Sequence, residues 1–208
     1  MNNWLSNVNE IRDILSELSV RDRCGKEISH DLAFRQLKNY ALNIRDRKKS
    51  VYFIGNGASA SIASHISADL AKNAGIHTEV FSDLSLITAI ANDIGYEEVF
   101  AEPLRRRMNA GDMLVAISSS GQSPNIIRAV SEAVNLGGTA VTISAMKKDN
   151  AIRSLGTLNF YVPASSYGGA ETCHAAILHY WIDQMIHTIS WQDNLVSQDR
   201  INNAVGMA

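Results

Sequence analysis

Two segments of this chain share one design: an apolar, β-branched run, then a Gly/Ser-rich turn, then a helix start. They are VYFIGNGASASIASH at residues 51–65 and MLVAISSSGQSPN at residues 113–125. A helix start exposes unpaired backbone N–H groups, which favour anions. The second turn adds four hydroxyl groups, and no Lys or Arg occurs from Met113 to Ile127. Neutral donors of this kind indicate a small phosphorylated metabolite rather than a polyanion; the hydroxyls belong to Ser118, Ser119, Ser120 and Ser123.

The alternation of strand and helix patterns sets the fold class. Five strand candidates alternate with helical patterns, and parallel strands need such crossover connections. We therefore predict a doubly wound α/β fold, with a five-stranded parallel sheet covered by helices on both faces. The strand candidates are residues 51–54, 79–81, 113–117, 140–143 and 159–162, and the helical patterns are 4–18, 30–47, 59–73, 97–108, 124–135 and 168–191.

One structural domain accounts for the whole length of 208 residues. Residues 1–49 form a helical pair that precedes any strand, and we expect it to bury its apolar stripes on another subunit. We expect residues 50–191 to form the α/β domain that binds the phosphorylated ligand through the two loops. Residues 192–208 form a polar tail, which we expect to be loosely held.

Composition excludes several classes of partner. The formal net charge of −2 provides no basic field for nucleic acid. The N-terminus carries acids among its apolar residues, so we expect no secretory signal, and no apolar run reaches membrane-spanning length. Cys24 and Cys173 are the only cysteines. We expect both to be reduced thiols in the cytoplasm, with no nucleic-acid or membrane partner.

The first loop also fits the relaxed dinucleotide-binding pattern G-x-G-x-x-A, from Gly55 to Ala60. Glu79 or Asp83 stands roughly where an acid that binds ribose would lie. Nucleotide binding requires neither the second, serine-rich loop nor the ionisable residues on the helix after the first loop. We therefore expect no nucleotide cofactor.

Ionisable residues cluster on two helices. His65 and Asp69 share a face of the helix that follows the first loop, because they are four residues apart. The last helix carries Glu171, His174 and His179 among apolar residues. Such nitrogen and oxygen ligands are compatible with zinc and less so with magnesium. Eight residues span about 12 Å of helix, so Glu171 and His179 share a metal only if their side chains lean together or Glu171 lies in the entry turn.

Four segments occur in an order and spacing that resemble the sugar isomerase (SIS) domain family, and specifically the phosphoheptose isomerases. They are GNGASASIASH, the NDIG segment at residues 92–95, ISSSGQS and ETCHAAILH. The resemblance implies a five-stranded parallel α/β sandwich and a homotetramer with active sites between subunits. It also implies conversion of sedoheptulose 7-phosphate into D-glycero-D-manno-heptose 7-phosphate, the entry step to heptose for lipopolysaccharide or another surface glycan.

The same resemblance implies roles for individual residues. The two loops and the NDIG segment would bind substrate through Asn56, Gly57, Ser59, Asn92, Asp93, Ser118, Ser119, Ser120 and Ser123. The family's zinc positions are occupied here by His65, Asp69, Glu171 and His179. Two of these depart from the family pattern, because Asp69 replaces a longer Glu and Glu171 replaces a neutral Gln.

These substitutions leave the catalytic base open between Asp69 and Glu171. We expect His179 to act as the partner acid or base, zinc as the Lewis acid, and Asp93 to bind sugar hydroxyls or assist ring opening. An isomerase for another phosphosugar is one alternative. A non-catalytic SIS regulator that binds the DnaA replication initiator is another, although a pure binding protein has no chemical need for the histidines and carboxylates.

Overall fold

The computed structural model of the protein describes residues 3–205, and the side chains of residues 3–190. Its strands are β1 (Ser19–Asp22), β2 (Glu27–Ile28), β3 (Ser50–Gly55), β4 (His77–Val80), β5 (Met113–Ser118), β6 (Thr139–Ser144) and β7 (Leu158–Tyr161). Its α-helices are α1 (Trp4–Ser16), α2 (His30–Asp46), α3 (Ala58–Ala74), α4 (Leu84–Asp93), α5 (Ala101–Arg107), α6 (Pro124–Asn135) and α7 (Tyr167–Val205).

The sheet has the strand order β2-β1-β7-β6-β5-β3-β4. Strands β3 to β7 pair in parallel, which confirms the five predicted strands. The sheet is nevertheless wider than expected, since β1 and β2 form an antiparallel hairpin that adds β1 beside β7. The N-terminal region is therefore two helices joined by a hairpin, not a helical pair alone.

Helices cover both faces of the sheet, as predicted. Alternate residues of β3 show this most directly, because Val51 and Phe53 join one hydrophobic core while Tyr52 and Ile54 join the other. The first core includes residues of α1, α2, α3 and α7, and the second includes residues of α4, α5 and α6. Burial on both faces explains why β5 is apolar along nearly its whole length.

The remaining differences from the sequence prediction are local. Helix α4 was not predicted, and the predicted helix at 97–108 is a 3₁₀ turn at Tyr96–Glu98 followed by α5. The tail from residue 192 is helical as far as Val205, because it continues α7.

The chain changes direction across the sheet between β3 and β5. Strand β4 lies on one side of β3, and β5, β6 and β7 follow on the other. In open parallel sheets, ligands bind at the carboxyl ends of the strands where the strand order reverses in this way. Both Gly/Ser-rich loops follow strands at this point, so the fold places them side by side.

Candidate active site

The first loop turns sharply from β3 into α3. A Cβ atom on Gly55 would lie 2.6 Å from the carbonyl carbon and oxygen of Ser59, so only glycine fits this crossing. Gly57, at the start of α3, has φ +56°, which also favours glycine. The main chain of Ser59 consequently lies against Gly55, and Ser59 is buried.

The second loop folds back on itself between β5 and α6. The N–H of Gly121 donates to the carbonyl oxygen of Ser118 at 3.1 Å and to its hydroxyl oxygen at 3.2 Å. The N–H of Gln122 donates to the hydroxyl oxygen of Ser120 at 3.3 Å. Pro124 occupies the first turn of α6, where its missing N–H costs nothing. The hydroxyl groups of Ser118 and Ser120 therefore help to hold the loop that leads into α6.

The two loops and the first turn of α7 enclose a pocket of about 190 Å³. Its lining includes seven of the residues predicted for the site and two that were not predicted, Ile117 and Tyr167. Among its described lining residues there is no Lys or Arg, and Glu171 carries the one charged side chain. The seven predicted residues are Asn56, Ser59, Ser118, Ser119, Ser120, Ser123 and Glu171.

A reciprocal amide pair ties the two loops together. The Nδ2 group of Asn56 donates to Oδ1 of Asn125 at 3.0 Å, and Nδ2 of Asn125 donates to Oδ1 of Asn56 at 2.9 Å. Tyr96 adds a longer hydrogen bond from its hydroxyl group to the same Asn56 oxygen, at 3.4 Å. Asn125 is buried on α6, and neither it nor Tyr96 was predicted as a site residue. The sequence signal that could have indicated Asn125 is its position directly after Pro124, which begins a helix.

Three predicted metal ligands meet where α3 packs beside α7. Nε2 of His65 lies 3.5 Å from Oδ2 of Asp69, and the ring centroids of His65 and His179 are 5.2 Å apart. One ligand atom from each of the three residues lies within 4.8 Å of the others. Ligand atoms of tetrahedral zinc lie about 3.4 Å apart, given metal–ligand distances near 2.0–2.1 Å. Two imidazoles and a carboxylate at these separations fit a divalent transition metal after small side-chain rotations.

The other predicted residues lie outside the His65, Asp69 and His179 cluster. Glu171 is in the serine-lined pocket and is not part of the His65, Asp69 and His179 cluster. Asn92 and Asp93 are exposed at the end of α4, where Nδ2 of Asn92 donates to Oδ1 of Asp93 at 2.9 Å. Neither residue lines the pocket, nor does Gly57. Their roles stay predictions.

Residues 173 and 174 belong to the hydrophobic interior. Both are fully buried, and burial raises the pKa of the Cys173 thiol. Burial also lowers the pKa of His174 to about 4, although the main chain of Ser144 beside the ring opposes this shift. His174 is therefore neutral at pH 7. Cys24 is an exposed free thiol, so the two cysteines do not form a disulfide.

The acids considered for ribose binding have structural partners. Oε2 of Glu79 accepts a hydrogen bond from Arg107 at 2.9 Å. Asp83 is the N-cap of α4, where its carboxylate accepts from the N–H of Leu86 at 2.9 Å. These contacts account for both residues without a nucleotide.

Comparison with known proteins connects this geometry to a family. A model described as the SIS domain matches residues 26–145, which is more than half of the chain. The chain belongs to the SIS domain family. Within the described part of the chain, no helix combines the length and apolar character that crossing a membrane requires.

Individual SIS relatives carry a more specific name. A phosphoheptose isomerase from Shewanella denitrificans is 34% identical over 155 residues, which cover 70% of this chain and 78% of the relative. A phosphoheptose isomerase from Helicobacter pylori is 30% identical over 155 residues, covering 72% and 80%. The solved structure of phosphoheptose isomerase GmhA from Neisseria gonorrhoeae superposes with a TM-score of 0.75 at 24% identity, covering 87% of this chain and 96% of that one. The last likeness concerns the fold.

Proposed function

We propose that this SIS protein is a phosphoheptose isomerase, which converts sedoheptulose 7-phosphate into D-glycero-D-manno-heptose 7-phosphate. The observation that carries the proposal is the pairing of a serine-lined pocket with a His65, Asp69 and His179 cluster on adjoining helices. The pocket suits a phosphate group, and the cluster supplies groups that move protons. The names of the 30–34% identical relatives support the same substrate.

Aldose–ketose isomerisation moves a proton between adjacent carbons through an enediol. A base removes a proton from the carbon next to the carbonyl group, and an acid protonates the carbonyl oxygen. We assign the base to Asp69, with Glu171 as the alternative. His179 is the acid or base that exchanges protons with the substrate oxygens, because the two ring nitrogens of an imidazole can donate or accept a proton. Asp93 contacts sugar hydroxyls or assists ring opening.

A metal ion fits the cluster through its ligand chemistry. His65, Asp69 and His179 would hold zinc and leave a coordination position free, as three protein ligands do in catalytic zinc sites. A bound zinc ion would stabilise negative charge on the substrate oxygens as a Lewis acid. Glu171 as a fourth ligand is a further prediction, since its side chain lies in the neighbouring pocket.

The proposal extends to the oligomeric state, the pathway and the cellular location of the enzyme. A homotetramer would place active sites between subunits, with residues 1–49 contributing to the contacts. The reaction would supply heptose for a surface glycan from the cytoplasm, where Cys24 and Cys173 remain reduced. Isomerisation of a different phosphosugar is the competing function, because Asp69 and Glu171 differ from the family pattern.

The test is turnover of sedoheptulose 7-phosphate by the wild type, His179→Ala and Asp69→Ala. We expect both variants to lose at least about a hundredfold in kcat, the usual contribution of a positioned acid or base. His187→Ala is the control, because His187 is an exposed histidine on the same helix. Full activity in both site variants would remove the catalytic assignment, and turnover of another phosphosugar alone would favour the competing function.

Metal dependence needs its own measurement. Metal content is determined in the purified protein, and turnover is followed before and after complete removal of metal by a chelator. We expect activity to fall on removal and to return with added zinc. Turnover that is unaffected by complete removal would contradict the zinc proposal.

A further inference from the structure

The serine-rich loop between β5 and α6 rests on residues 145–152, which follow β6 and are called the support turn below. The N–H of Ala145 donates to the carbonyl oxygen of Ser119 at 3.0 Å, and the N–H of Ile152 donates to the carbonyl oxygen of Gly121 at 3.2 Å. Neither donor residue lines the serine-lined pocket. Both carbonyl oxygens are therefore engaged outside the pocket, which keeps their partial negative charge from repelling an anion there.

Asn150 is the buried polar side chain of the support turn. Its Nδ2 group donates to Oγ of Ser144 at 3.1 Å and to the carbonyl oxygens of Ala145 and Lys147 at 3.4 and 2.8 Å. An Asn at the start of a helix usually binds an N–H group of that helix. Asn150 precedes the 3₁₀ turn Ala151–Ser154 and makes no such bond. Its amide instead holds the support turn together from within.

The same side chain packs directly behind Gly121 of the serine-rich loop. Gly121 has φ +61°, and a Cβ atom on it would overlap Oδ1 and Cγ of Asn150 and lie 2.8 Å from the Asn150 Cβ atom. Among the described residues, Oδ1 of Asn150 has no hydrogen-bond partner. A buried acceptor without a partner costs free energy, which an apolar side chain would avoid. An apolar side chain could not, however, donate to the support turn.

We propose that Asn150 is a positioning residue, which fixes the serine-rich loop in the conformation that binds phosphate by holding the support turn against Gly121. Asn150 does not line the pocket, so it acts through the loop and not on the ligand. Its hydrogen bonds also do not reach the His65, Asp69 and His179 cluster. That the loop holds the phosphate group of a sugar rests on the function proposed above.

The physical basis is the organisation of the loop before the ligand arrives. Neutral donors hold a phosphate only when several of them converge, and a loop that must be ordered on binding loses affinity. The phosphate group takes no part in the proton transfers. A displaced loop therefore weakens the substrate complex and the transition state alike, which raises KM and leaves kcat unchanged.

Two measurements on the full chain, with its metal content determined, test this role. One is the affinity for inorganic phosphate from a phosphorus NMR titration, and the other is steady-state kinetics with sedoheptulose 7-phosphate. In Asn150→Ala we expect phosphate affinity to fall about tenfold or more, the effect of losing one hydrogen bond to a charged group. KM should rise by a similar factor, while kcat stays within about threefold and metal content is unchanged.

Two further variants separate the donors of Asn150 from its volume. Asn150→Asp keeps the size of the side chain but cannot donate to the support turn when ionised, so it should lose as much phosphate affinity as Asn150→Ala. Asn150→Ser keeps one hydroxyl donor and should lose less than either. It is also the mildest change, and it keeps the test available where a larger change prevents folding.

Asn159→Ala is the matched control, because Asn159 is another buried, hydrogen-bonded amide of the same sheet. Its Oδ1 accepts from Oγ1 of Thr142 at 2.8 Å and from the N–H of Gly156 at 2.9 Å. The control should lower the urea midpoint about as much as Asn150→Ala, since both remove a buried amide. It should preserve the wild-type phosphate affinity and KM.

Three results would overturn the proposal, each measured on protein with a cooperative unfolding transition. The first is wild-type phosphate affinity in Asn150→Ala or Asn150→Asp. The second is an equal loss of affinity in Asn159→Ala, which would reduce Asn150 to a general structural role. The third is absence of phosphate binding by the wild type. Failure of the isomerase activity alone is distinguishable, because the proteins would then follow the expected order of phosphate affinities but turn over no sedoheptulose 7-phosphate.

Discussion

His174 is a titratable side chain within the hydrophobic interior. The residue is fully buried, and neither ring nitrogen has a hydrogen-bond partner among the described residues. Burial lowers its pKa to about 4, whereas an unfolded histidine titrates near 6.5. Between these values the unfolded chain binds a proton that the folded protein does not. The contribution of neutral His174 to the free energy of unfolding is therefore fully present above about pH 6.5 and is lost as the pH falls towards 4.

We expect this histidine to contribute about 3 kcal/mol to the loss of unfolding free energy between pH 7.5 and pH 4. The measurement is urea unfolding at a series of pH values for the wild type and His174→Leu. The difference between the two proteins isolates His174 from the carboxylates that titrate in the same range. His187→Ala is the control and should follow the wild type. Parallel pH profiles for the wild type and His174→Leu would contradict the prediction.

At the scale of elements, the connection from β3 to α3 depends on the close approach at Gly55. In Gly55→Ala the new Cβ would meet main-chain atoms of Ser59, which cannot rotate away as a side chain would. We expect a loss of about 3 kcal/mol in unfolding free energy and a displaced first loop, with KM rising for the phosphosugar. Urea unfolding and steady-state kinetics measure the two effects.

The matched control for this substitution is Gly168→Ala. A Cβ on Gly168 would have no neighbour within 4 Å, and this glycine lies in the first turn of α7. Alanine there should be neutral or stabilise by about 0.5–1 kcal/mol, because it restricts the unfolded chain. Equal effects of the two substitutions would show that the close approach at Gly55 does not matter.

The elements differ in how well their sequences predict them. Strand β5 was predicted because burial on both faces demands an apolar run. The hairpin was not predicted because Ser19–Asp22 is short and partly charged. Tertiary contacts stabilise it, since the buried guanidinium of Arg153 donates a hydrogen bond to Ser19 and lies 4.3 Å from the ring centroid of Tyr161. Helix α4 was missed although Asp83, three residues before Leu86, is a usable N-cap signal.

At the scale of the whole molecule, some features of the candidate site could likewise be predicted from the sequence and others could not. The serine loop and Asn56 could be brought together from the sequence, because parallel strands align their carboxyl ends. The pairing of Asn56 with Asn125 could not, since it depends on which way one side chain of α6 points. The separation of Glu171 from His179 was indicated by helix geometry, but the place of Glu171 in the serine-lined pocket required the packing of α7.

The oligomeric state is a further testable property of the whole molecule. Trp4, Leu5 and Val8 are exposed on α1, with Trp4 at 78% and Leu5 at 66%. If residues 1–49 form a subunit contact, these side chains lose water on association, and each large apolar side chain contributes about 1.5–3 kcal/mol. We expect light scattering to give a tetramer for the wild type and a smaller assembly for Trp4→Ser combined with Leu5→Ser. Leu84→Ser, at a position 74% exposed on α4, is the control and should remain tetrameric. A tetramer that persists in the double variant would exclude this face of α1 from the contact.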